Sequence, residues 1–235
     1  MSLTYKNIFP LAVALIGGFF LAASKPDVVI AQSGYVPPER PKPQRTQGGG
    51  SRGCLNTQPV NLQLLAPKDY TGKTVSAYPT LSWYISAVPS MPLEIALVEE
   101  GVAEPILVKR LPVKNAGIMN FKLPDNLSGL QIGKDYRWTI SLVCNPERPS
   151  QSVYARAWIQ RSDTPKNLDK NLMGLSAYDK TLAYIKAGIW YDAIASISES
   201  HESKLSNSEI TLASNLFQDL LQQVGLKEAR TIKFL

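Results

Sequence analysis

Residues 136–144 (YRWTISLVC) constrain the fold more than any other stretch of this chain. Tyr136, Trp138, Ile140, Leu142 and Cys144 fall on one parity, and Arg137, Thr139 and Ser141 on the other. Side chains along a β-strand alternate between faces, so this run predicts a strand with one apolar and one polar face. A single strand of this kind cannot bury its own apolar face. The rest of the chain has to supply a second layer.

Six further runs between residues 60 and 160 read as short strands: 60–65, 80–85, 93–99, 106–111, 118–123 and 153–160. Prolines 67, 79, 89, 92, 105, 112, 124, 146 and 149 fall between or at the edges of the strand runs, where a missing N–H does little harm. About seven strands in roughly a hundred residues, with no helical period among them, predict an antiparallel β-sandwich. Two details favour an immunoglobulin or fibronectin III-like version. Leu81, Trp83 and Ile85 would line a buried tryptophan strand, and Leu130, Gly133 and Tyr136 suggest a corner where the tyrosine hydroxyl ties back to upstream backbone.

The chain has 235 residues, enough for one large domain or two small ones. Lys6, an apolar stretch over 8–23 and the small residue of Val29-Ile30-Ala31 follow the order of a secretory signal peptide, cut after Ala31 or near Ala23. The alternative is a retained anchor, but the stretch falls short of the roughly 20 apolar residues that span a bilayer. Residues 32–53 combine Pro, Gly and basic residues with little to bury, which predicts a disordered tether. Only two cysteines are present. In an exported chain they are most simply a Cys54–Cys144 disulfide, against two free buried thiols as the alternative.

After the sandwich (54–161) and a polar linker (162–171) the period becomes helical. Leu175, Tyr178, Leu182 and Ile185 share one face, and Trp190, Ala193, Ile194 and Ile197 another, with Gly188 between them. Ile210, Ala213, Phe217, Leu220, Leu221 and Val224 form a third stripe. Ser206 and Glu209 make a capping box at its start, and Gly225 is placed to end it. The segment 183–194 resembles the inter-helix turn of a tetratricopeptide repeat. With one and a half units, 172–235 reads as a repeat-like hairpin plus one helix.

Six patches occur in order: 49–54 (GGSRGC), 78–83 (YPTLSW), 133–145 (GKDYRWTISLVCN), 158–161 (WIQR), 188–193 (GIWYDA) and 220–226 (LLQQVGL). Together they resemble the cyanobacterial domain of unknown function 928 over nearly all of the chain beyond its first 31 residues. The resemblance implies an exported cyanobacterial protein and brings no activity, ligand or catalytic residue.

The residues themselves offer little chemistry. The single histidine, His201, lies in a polar stretch and reads as a solvated surface residue. Gly49-Gly-Ser51-Arg-Gly53 matches the nucleophile-elbow pattern by letter, but its flexible setting supplies no acid or histidine partner. Glu99-Glu100-Gly101 reads as a hairpin turn, and Asp192 as a surface or helix-packing residue. No cofactor or metal set is predicted, and the net charge of +6 comes without a basic helix or an aromatic RNA signature, so nucleic acid is not expected. One constellation has binding potential. If Trp138 faces inward, Arg137 faces out, as do Tyr154, Arg156 and Trp158 of the last strand. Tyr84 faces out from the tryptophan strand, and in this sandwich topology the three strands are neighbours, so Tyr84 shares that outer face. Such a face could dock the C-terminal helices, bind a partner, or bind sugar. The expectation is therefore a non-enzymatic binding protein of the periplasm or exterior, with an unidentified protein or envelope partner and no membrane span after signal cleavage. A carbohydrate-binding module is the alternative.

Overall fold

The computed structural model describes residues 34–35, 47–49, 54, 60–145, 147–148, 152–166, 168, 172–199, 207–223 and 226. The predicted signal segment, His201, Ser51, Ser206 and Gly225 lie outside them.

Among the described residues, nine strands and three helices follow in order. They are β1 (Gln47–Gly49), β2 (Leu62–Leu64), β3 (Gly72–Thr74), β4 (Thr80–Ile85), β5 (Leu93–Glu99), β6 (Leu107–Leu111), β7 (Gly117–Lys122), β8 (Asp135–Leu142), β9 (Val153–Arg161), α1 (Ala177–Lys186), α2 (Trp190–Glu199) and α3 (Asn207–Gln223). The smaller sheet has the order β2-β4-β7. The larger is six-stranded, in the order β1-β9-β8-β5-β6, with β3 also on β9. All pairings are antiparallel except β3 with β9.

The alternation read from the sequence decides the inner faces. Leu81, Trp83 and Ile85 of β4 are buried in one core with Ile95 and Leu97 of β5, and with Tyr136, Trp138, Ile140 and Leu142 of β8. Ala155, Ala157 and Ile159 of β9 complete that layer, while Arg137, Thr139 and Ser141 of β8 and Tyr154, Arg156 and Trp158 of β9 stay half-buried. The corner at the start of β8 forms as expected, with the Gln131 N–H donating to the Tyr136 hydroxyl over 2.9 Å. Cys54 and Cys144 are joined, their Cα atoms 5.3 Å apart.

Two parts of the expected tether belong to the fold. β1 adds to the outer edge of β9, opposite Tyr154–Arg156. Tyr35 is buried in the core, where its ring stacks on Tyr70 at 6.0 Å and meets Trp190 edge-on at 5.1 Å. Its N–H donates to Gln223 Oε1 and its hydroxyl to the Gly188 carbonyl. The physical reason is local: one aromatic ring in a polar stretch offsets its ordering entropy when a cavity exists for it, and composition averages that ring away.

The helices start and stop on residue chemistry. Ser176 caps α1, its Oγ accepting the Asp179 N–H at 3.0 Å. Gly188, at φ +71°, makes the left-handed turn between α1 and α2 that other residues resist. α2 then packs against α1, β3 and β4. A Cβ at Gly72 would lie 2.7 Å from Tyr191 Cε2, so glycine is what permits this approach of helix to strand. In α3 the buried stripe is Ala213, Leu216, Phe217, Leu220 and Leu221, whereas Ile210 is exposed. Among the described residues no helix is long and apolar enough to cross a membrane.

Candidate functional site

The outward parity of the larger sheet forms a regular grid set by strand register. Arg137 lies opposite Trp158 on one side and Val98 on the other; Thr139 lies opposite Arg156 and Ala96; Ser141 lies opposite Tyr154 and Glu94. Arg110 of β6 faces Glu94. The Arg137 guanidinium sits 5.9 Å from the Trp158 ring centre, and that of Arg156 is 5.9 Å from the ring of Tyr154. Such contacts restrict the rotamers that each guanidinium samples.

A depression lies at each end of this face. One, of about 350 Å³, is lined by Val98, Arg137, Trp158 and the 99–103 turn. The other, of about 370 Å³, is lined by Glu94, Arg110, Thr139, Ser141 and Tyr154, among others. Beside the first, Lys134 Nζ bonds Glu99 Oε1 at 2.9 Å, and this contact raises the lysine's affinity for its proton.

Four of the five residues expected on one face are brought together there: Arg137, Tyr154, Arg156 and Trp158. Tyr84 is not. It belongs to β4 in the smaller sheet, paired with Gln63 of β2 and Ile118 of β7. Alternation fixes which way a side chain points from its own strand and is silent on which sheet that strand joins, so the neighbour relation was wrong.

The grid is also not where α2 docks. Trp190 Nε1 donates to the Leu65 carbonyl at 2.9 Å. The hydroxyl of Tyr191 accepts from Trp138 Nε1 at 2.8 Å and donates to the Trp158 carbonyl at 2.9 Å. Along the outer edge of β9, β1 pairs with 154–156 and β3 with 159–161, so the Tyr191 hydroxyl satisfies a carbonyl in the gap between two partial neighbours. The helix thus plugs an edge of the core. The Gly-Ile-Trp-Tyr-Asp-Ala cluster signals tight packing in the sequence, but not against what.

Of the two roles the sequence leaves open for Asp192, packing is the one the structure gives it. Its Oδ2 accepts the Val75 N–H at 3.2 Å, tying α2 to the segment after β3. It also lines a cleft of about 300 Å³ with Lys122, Lys180, Tyr78, Tyr184 and Ser196. Desolvation raises its pKa above the ordinary carboxylate range, opposed by the Thr74 side chain and the Val75 N–H. The folded protein therefore holds this proton more tightly than the unfolded chain does. Its contribution is most favourable at low pH and declines as pH climbs from about 4 through the raised folded value. Melting curves of the wild type and Asp192→Asn should show the wild type gaining relative stability as pH falls from 7 to 4. A stability difference that does not vary with pH would exclude this assignment.

Among the described residues no group of three or more His, Cys, Asp or Glu side chains is placed to hold a metal ion. A family model described as a domain of unknown function, DUF928, matches residues 47–234. Comparison with curated proteins returned no match.

Proposed function

The chain belongs to the DUF928 family, a domain of unknown function, and we propose that it is an exported, non-enzymatic binding protein of the cell envelope whose partner sits on the outward face of the larger sheet. The observation that carries this reading is the stacked Arg137–Trp158 pair, half-buried beside a depression on a face that α2 does not use for docking. Aromatic and arginine side chains held in fixed geometry are the groups that most often dominate recognition energy.

Export is supported by the signal-like order of the first 31 residues and by a disulfide, which persists in oxidising compartments. The fold is best described as a fibronectin III-like sandwich. Supporting this are the order β2-β4-β7 in one layer and β9-β8-β5-β6 in the other, and the tyrosine corner at β8. The pair α1 and α2, turning at Gly188, supports a tetratricopeptide-like hairpin.

The test is retention on an isolated envelope fraction. Trp158→Ala and Arg137→Ala should each weaken retention at least tenfold, about 1.4 kcal/mol or more, while both variants remain folded by circular dichroism. Undiminished retention in both folded variants would refute the proposal.

A further inference from the structure

We propose that the niche bounded by Tyr70, Gly188, Trp190 and Gln223 is a recognition site for a tyrosine carried on an extended peptide, and that Tyr35 is the exchangeable occupant this chain supplies for itself. The niche shares no residue with the outward face of the larger sheet, so the two sites stand or fall separately.

Each part of the tyrosyl unit meets its own partner. The main-chain N–H of Tyr35 donates to Gln223 Oε1 at 2.8 Å, at the last residue of α3. The ring stacks on Tyr70, with centres 6.0 Å apart and planes inclined by 10°, and it meets Trp190 edge-on at 5.1 Å. The hydroxyl donates to the Gly188 carbonyl at 3.2 Å, in the turn between α1 and α2. Burial raises the pKa of this phenol, so the niche holds the neutral form that can donate. An aliphatic side chain would fill the space without the stacking. A phenylalanine would keep the ring contacts and forfeit the hydroxyl bond.

Walls and occupant differ in kind. The four wall residues lie within residues 47–234, which the family model matches, whereas Tyr35 precedes them. The walls are also fixed by bonds that do not involve Tyr35. Trp190 Nε1 donates to the Leu65 carbonyl, and the N–H groups of Gly188 and Ile189 donate to the Ile185 and Tyr184 carbonyls. The niche therefore has a shape of its own. On the occupant's side, Tyr35 is buried, yet the adjacent Gly34 is exposed, and beyond its chain neighbours no heavy atom lies within 4 Å of where its Cβ would stand. With the expected cut after Ala31, Tyr35 becomes the fourth residue of the mature chain and can withdraw without unthreading a loop. Chain ends tied down at few points open at low cost in free energy. A tethered occupant competes at an effective concentration on the order of millimolar, so a peptide has to reach that level to displace it.

The probe is the peptide Ser-Gly-Tyr-Val-Pro, the sequence of residues 33–37, added to the mature chain. Calorimetry should show one peptide bound per chain of the Tyr35→Ala variant, about tenfold or more tighter than to the wild type, whose own ring competes. Phenylalanine in place of the peptide's tyrosine should weaken binding about threefold or more, and alanine should abolish it. Adding Gln223→Ala to Tyr35→Ala should also weaken binding about threefold or more, which places the peptide in this niche. The wild type carries the test even where Tyr35→Ala does not fold. Hydrogen exchange at its Tyr35 amide should be slower than at Gly34 and should speed up at millimolar peptide, while the β5–β8 pairing is unchanged. A folded Tyr35→Ala that binds no peptide, equal affinity in the wild type, equal binding of the alanine peptide, indifference to Gln223→Ala, or a Tyr35 amide whose exchange ignores the peptide would each overturn the proposal.

Discussion

Trp190→Ala is expected to lower stability by about 3–5 kcal/mol, enough to take a marginally stable protein close to unfolding. Trp190 is fully buried at the head of α2. Its removal deletes the largest side chain with which that helix enters the core, and the surrounding strands cannot collapse onto the space. It also orphans the Leu65 carbonyl, which the indole N–H satisfies, a loss of about 1–3 kcal/mol for a buried acceptor. Part of that second contribution is already inside the first figure, so the two are not summed. The ring also forms one wall of the Tyr35 site. Urea unfolding at neutral pH gives the total, and Trp190→Phe separates its parts: most of the apolar surface remains while the N–H is lost, so this variant should cost about 1–3 kcal/mol. A cost below about 1 kcal/mol for Trp190→Ala would mean that the helices are an appendage and not a wall of the core.

That test bears on what could be read from sequence and what could not. The strand runs at 80–85 and 93–99 match β4 and β5 residue for residue, and the inward parity of β8 is the buried set. Period-two patterning is strong when each strand has one wet and one dry face, so those faces were legible. β1 and β3 were not. Each has three residues and contains glycine, so neither carries a period, and both exist because β9 offers a free edge. The sheet partners of β4 were also illegible, since pairing is decided by which apolar faces meet across the whole domain. This is why Tyr84 lies in the other sheet, while Arg137, Tyr154, Arg156 and Trp158, fixed by one antiparallel register, share a face.

Docking illustrates the same limit from the helical side. The stripe Trp190, Ala193, Ile194 and Ile197 is buried as its spacing predicts. Tyr191, one position off that stripe, is nevertheless buried too, because its hydroxyl has two partners inside the sheet, the Trp138 indole and the Trp158 carbonyl. A helical wheel sees only apolarity. It has no means of recording that a tyrosine can be buried by completing a sheet edge. The same hydroxyl connects core to function: Trp158 offers its backbone to α2 and its side chain to the opposite, outward face. The position of the candidate site is therefore held from behind by the helical subdomain.

Loss of the disulfide is the second large effect. Cys54 and Cys144 are 90 residues apart, so their link removes much of the unfolded chain's freedom. In the chain-entropy treatment a loop of that length is worth roughly 4–5 kcal/mol. For a domain of this size that corresponds to a fall of roughly 8–20 °C in melting temperature. The bridge also has a local role. Cys144 lies two residues beyond β8, and Cys54 follows β1 by five residues, so the link keeps β1 near the edge of β9 that it covers. Hydrogen exchange at Tyr154–Arg156 should therefore speed up in Cys54→Ser/Cys144→Ser by more than at the β5–β8 pairing in the middle of the sheet. Reducing agent should lower the melting temperature of the wild type to that of the double variant and leave the variant unchanged. A reduced wild type that melts within about 2 °C of the oxidised protein would show that β1 is held by its edge pairing alone, since a shift that small corresponds to at most about 1 kcal/mol.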